Sequence, residues 1–169
     1  AEKKGERTAK EGIVFSYIHH GGRLGVLVEL NCETDFVAKT EGYSELAHNL
    51  AMQIAATNPL AIRREDIADT VVEHEKSIFS DQAKESGKPE NIIEKMVEGR
   101  LRKFYEEVVL LEQTFVIDNE TKISKVLENA AKDAGAPIEV TGFVRFALGE
   151  GIEKKSENLA DEVAATLAG

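Results

Sequence analysis

The sequence predicts an α+β domain: a small three-stranded antiparallel sheet packed against several helices, with a C-terminal helix after it. Three observations carry this expectation. Two strand-like segments open the chain, four helical patterns fill its middle, and one strong apolar alternation follows them. A two-stranded hairpin is rarely stable alone, so the late strand is expected to return and complete the sheet. The helices then cover one of its faces.

Each element has its own signal. Residues 1–11 are mostly charged and small, and read as a leader or linker. Ile13 to Ile18 forms the first strand. In the second, Leu24, Val26, Val28, Leu30 and Cys32 share one face, a period of two that marks a half-buried strand. His19-His20-Gly21-Gly22 lies between them as a hairpin turn. Tyr43, Leu46, Ala47, Leu50, Ala51, Ile54 and Ala55 then recur at helical spacing. Asn58-Pro59 ends that helix, because a residue before proline resists the helical region.

A second helix is expected over about 70–85, closed by Gly87. A third starts near Pro89 and runs to about Val108, with Ile92, Ile93, Met96, Val97, Leu101, Phe104 and Tyr105 as its stripe. A fourth covers about 121–134 and stops near Gly135. After Pro137, Ile138, Val140, Gly142, Val144, Phe146 and Leu148 alternate with Glu139, Thr141, Phe143, Arg145 and Ala147. A last amphipathic helix has Ser156 as N-cap and Leu159, Ala160, Val163, Ala164 and Leu167 as its stripe. The expected organisation is a leader over 1–11, a core domain over 12–149 and a helical module over 150–169.

Composition narrows the function. The 169 residues are 42% hydrophobic and 31% charged, an ordinary globular balance. The net charge of −10 argues against nucleic acid as a direct partner, because phosphate binding needs a basic surface. It argues equally against anionic membrane surfaces. No apolar run approaches the roughly 20 residues of a membrane helix. One cysteine, Cys32, excludes a disulfide-stapled secreted domain and favours a reducing compartment.

Few motifs in the chain carry chemistry. There is no phosphate-binding loop, no dinucleotide fingerprint and no nucleophile elbow. A lone cysteine excludes the usual structural zinc sites, so no metal or cofactor is expected. One cluster, His19, His20, Cys32, Glu33 and Asp35, offers a thiol and a base, and with them the alternative of a small thiol enzyme. Against this, Cys32 falls in phase with Val28 and Leu30, where a free cysteine behaves as a core hydrophobe. The segment from Asn31 to Lys39 is unusual: a strand ends and an Asp35-Phe36 pair follows at once. Phe36 fits either a plug in the local core or an exposed interface anchor. Residue pattern alone leaves both open.

Asn31-Cys32-Glu33-Thr34-Asp35-Phe36-Val37-Ala38 closely resembles the Thr-Asp-Phe-Val signature of the translation elongation factor Ts family. Further blocks agree in order: Tyr17-Ile18-His19-His20 with Gly25-Val26-Leu27-Val28-Glu29, then Lys88-Pro89 with Glu94 to Arg100. Leu110-Leu111-Glu112-Gln113 with Phe115-Val116, Val140 to Phe146, and Gly149 to Glu153 complete the likeness, which covers nearly the whole chain. The chain resembles the short, single-core type. Family members begin with a small helical domain similar to ubiquitin-associated domains, and Ala1–Gly12 looks like the stretch just after it.

The resemblance implies a non-enzymatic guanine nucleotide exchange factor for elongation factor Tu, in its GDP-bound and nucleotide-free forms. Thr34, Asp35, Phe36 and Val37 would be the main contact. The Asp-Phe pair would intrude between two helices of the GTPase near its Mg²⁺ and phosphate site. His19 and His20, and Leu159, Val163 and Leu167, would be weaker contacts. Short relatives act as homodimers, and bacterial cytoplasm is the expected location, with plastid or mitochondrial versions as the alternative. A structural subunit that docks without driving exchange is the third reading.

Overall fold

The computed structural model describes residues 11–150. Of the leader expected over 1–11, residues 1–10 lie outside the described residues and Glu11 belongs to the first strand; the expected C-terminal helix, with Ser156, Leu159, Val163 and Leu167, also lies outside them.

Strand β1, Glu11–Ile18, pairs antiparallel with β2, Leu24–Cys32, in a register running from Ile18↔Gly25 to Glu11↔Cys32. The turn between them closes with His19 N–H donating to Leu24 O (2.8 Å) and Gly22 N–H to His19 O (2.9 Å). Gly21 and Gly22 both take positive φ, +93° and +70°, a region that side chains disfavour. Strand β3, Ile138–Ala147, returns to the free edge of β2, so the order is β1-β2-β3. The α+β class and the returning third strand hold as expected.

The helices follow the periodicity closely. A short turn of helix, α1 (Asp35–Ala38), precedes α2 (Glu41–Thr57). The N-cap of α2 is Thr40, and Asn58 ends it at φ 47°, just before Pro59. Then come α3 (Asp69–Lys84), α4 (Glu90–Val108) and α5 (Ile123–Ala134), the last closed by Gly135 at φ 68°. Their ends differ from the sequence expectation by a residue or two, as frayed termini do.

The core forms where α2 lies across the inner face of the sheet. Leu46, Ala47, Leu50, Ala51 and Ile54 bury against Val26, Val28, Leu30 and Cys32, and Ile123, Leu127 and Val140 join them. Helices α3 and α4 form an antiparallel arm. They pack mainly on each other and share a smaller cluster of Ala61, Ile67 and Val109 at their base.

One feature of β3 departs from simple alternation. Glu29 pairs with Gly142 but Leu30 pairs with Val140, so Thr141 is an extra residue on the bulged strand. A one-residue slip exchanges the two faces of a strand. Before the bulge Val140 points into the core. After it Phe143 and Arg145 face the helices, while Val144, Phe146 and Leu148 turn outward. Arg145 uses this inward position to donate from Nε and Nη2 to Ala55 O, near the C-terminal end of α2.

Candidate functional site

Residues Thr34 to Thr40 form the tip that joins β2 to α2. Their geometry is set by caps rather than by helix length. Thr34 is the N-cap of α1: its Oγ1 accepts from Val37 N–H at 3.4 Å. Asp35 lies in the first turn and pairs with Lys39 four residues on, at 3.2 Å. Both side chains are exposed, so this pair adds little to stability. Val37 and Ala38 pack against the main core and anchor the turn. Phe36 points the other way and is 83% exposed.

The alternative left open for Phe36 is therefore resolved: the ring is no core plug. Cys32, 1% exposed, closes the core face of β2, and its Sγ donates to Thr34 O at 3.1 Å. Cys32 is a core residue, as its strand phase predicts.

The thiol-enzyme alternative fails on geometry. His19 and His20 lie at the hairpin-turn end of the sheet, while Cys32 lies opposite Glu11 at the other end. The nine residues of β2 separate them, about 27 Å at an ordinary strand rise. Thr34–Val37 follow that far end of β2, so the His19-His20 turn and the Thr34–Val37 tip lie at opposite ends of the strand. His19 Nδ1 instead meets Tyr17 OH at 2.8 Å. Among the described residues, no group of three or more His, Cys, Asp or Glu could hold a metal ion. Nor is any helix among them long and apolar enough to cross a membrane.

Two surfaces escaped the sequence reading. Among the described residues, no helix covers the outer face of the sheet, which exposes Val14, Ile18, Leu27, Val144, Phe146 and Leu148 together. Its β3 half was hidden because an alternating strand does not announce a bulge. The second is the loop after Gln113, which exposes Val116 and Ile117. A fully buried amide holds it: Gln53 Nε2 donates to Thr114 O (3.0 Å) and to Gln113 Oε1 (3.1 Å), while Gln53 Oε1 accepts from Val116 N–H (2.8 Å). The signal was a glutamine inside the apolar stripe of α2.

The fold and the tip define a class: an α+β domain that holds a bare aromatic side chain outward on a capped, core-anchored turn. The family model for elongation factor Ts matches residues 3–150. The chain is 52% identical to elongation factor Ts of Desulforamulus reducens over 167 residues, 99% of this chain and 77% of the relative. It is 52% identical to that of Geotalea daltonii over 165 residues (98% and 76%). To that of Anaeromyxobacter sp. (strain K) it is 54% identical over 164 residues (97% and 75%). The chain belongs to the elongation factor Ts family, whose members are factors of translation elongation.

Proposed function

We propose that this chain is a guanine nucleotide exchange factor for elongation factor Tu, and that Phe36 and Asp35 are its working residues. The observation that supports this reading is the 83% exposure of Phe36 on an otherwise anchored turn. An exposed ring contributes little to its own fold. Burying a phenylalanine side chain in a partner is worth about 1.5–3 kcal/mol. Thr34 and Val37 shape and anchor the turn that carries it.

In the proposed mechanism Phe36 inserts between helices of the GTPase beside its nucleotide site. Asp35 follows it into the polar surroundings of the Mg²⁺ ion. Mg²⁺ demands near-octahedral coordination, so small displacements of its ligands weaken it sharply. The diphosphate charge is then poorly neutralised and GDP leaves faster. The chain binds nucleotide-free Tu better than Tu·GDP, so it lowers GDP affinity by the same factor. No bond is made or broken, and no catalytic group is needed. The His19-His20 turn and the stripe Leu159, Val163 and Leu167 are the weaker contacts of this reading, and a bacterial cytoplasm is its setting.

A second copy of this chain is the proposed occupant of the open sheet face. Support comes from the outward set of Val14, Ile18, Leu27, Val144, Phe146 and Leu148, a contiguous apolar surface of a kind that monomers rarely leave bare. Its centre lies toward the hairpin-turn end, away from Phe36, so a dimer leaves both tips free. The direct test of the exchange function is release of labelled GDP from purified Tu. Acceleration by this chain is expected. An unchanged rate, with the two proteins still binding, would leave only the docking-subunit reading.

A further inference from the structure

We infer that Thr40 is a positioning residue for Phe36, an inference that rests on the exchange reading above. Helix α1 has four residues, too few to hold a helical shape by its own hydrogen bonds. Its form depends on what grips its ends. Thr34 grips the first end. The second is held by Thr40 in two directions. The Thr40 hydroxyl donates to Val37 O at 2.8 Å and accepts from Tyr43 N–H at 3.3 Å. Thr40 N–H also donates to Val37 O, at 3.2 Å.

Tyr43, in turn, is buried, and its hydroxyl donates to Leu30 O on β2. A continuous path therefore runs from the sheet through Tyr43 and Thr40 to the carbonyl of Val37, next to Phe36. One hydroxyl performs two tasks: as acceptor it caps α2, and as donor it fixes the angle of α1 on α2. Only the second task aims Phe36. Thr40 thus acts through Phe36 and does not itself enter the partner.

Asparagine and aspartate, isosteric with each other, separate the tasks. Asparagine can both accept and donate at this position; aspartate is an equally good cap but only accepts. GDP release from Tu is measured against rising concentrations of the full chain for Thr40→Asn, Thr40→Asp, Thr40→Val and Phe36→Ala, with a thermal midpoint for each. Thr40→Asp and Thr40→Val are expected to lower the maximal release rate about fivefold, the loss of one capping-strength interaction. The half-saturating concentration should stay within about twofold, because mainly the aim of the ring has changed. Thr40→Asn should restore the rate, and Thr40→Asp should keep its thermal midpoint, so unfolding does not account for its loss.

If Phe36→Ala is inactive while Thr40→Asp equals Thr40→Asn, the positioning role is wrong. A loss confined to the half-saturating concentration would make Thr40 a surface contact, which also overturns it. Full activity of Phe36→Ala would instead overturn the exchange reading itself.

Discussion

Cys32 and Phe36 stand four residues apart at opposite extremes of exposure, 1% and 83%. Between them the chain changes from a strand, whose side chains alternate, to a helical turn, whose side chains rotate. The strand phase drives the thiol inward. Thr34 then starts the turn, Val37 and Ala38 take the inward direction, and Phe36 is left facing solvent.

The sealed thiol gives a simple chemical test. A thiol-reactive dye should label Cys32 at least about 100-fold more slowly in the native chain than in denaturant, since reactivity follows access and thiolate formation. Comparable rates would place Cys32 at the surface and break the register assigned to the end of β2.

Gln53 should behave as a buried clamp. Replacing it with alanine leaves Thr114 O, Gln113 Oε1 and Val116 N–H each short of a partner. The expected cost is about 2–3 kcal/mol in urea unfolding, with faster amide exchange at Val116. A cost below about 0.5 kcal/mol, the range of ordinary surface substitutions, would contradict the network.

The open sheet face predicts a dimer that a charge can break. Phe146→Glu places a carboxylate on the outward row of β3, opposite Gly25. A mass measurement in solution should show wild-type dimers and variant monomers, with the thermal midpoint of the variant little changed in the dilute limit. A wild-type chain that stays monomeric at high concentration would remove the dimer.

The loop that shows Val116 and Ile117 should loosen in acid. Hydrogen bonds from Thr121, first through its side chain and then its backbone, and from Glu120 N–H hold the Asp118 carboxyl below its ordinary range. A depressed folded-state value means that the contribution is complete above the ordinary carboxylate pKa and fades as pH falls through the lower, folded value. Amide exchange at Glu120 and Thr121 should rise in that acid window in the wild type. With Asp118→Asn the acid step at these amides should vanish, and a step that persists would assign it to another group.

Much of the fold was legible in the sequence because its signals are long. The periods of β2 and α2 repeat over many residues, and Pro59 and Gly135 mark helix ends by their own stereochemistry. What stayed hidden was short or relational. Helix α1 has no room for a period. The bulge at Thr141 depends on how β3 pairs with β2, which neither strand states alone. Phe36 was ambiguous for the same reason: whether a ring is buried depends on what lies across from it. The family likeness, not the residue pattern, pointed it outward.

In the proposed mechanism Phe36 works on a partner and not on its own fold. The decisive measurement is stopped-flow release of labelled GDP from Tu with wild-type chain and with Phe36→Ala, beside urea unfolding of both. The variant is expected to lose at least about tenfold in maximal release rate, roughly 1.4 kcal/mol of coupling, while its unfolding free energy moves by less than about 0.5 kcal/mol. Unaltered release by the variant, or a loss matched by its unfolding, would contradict it.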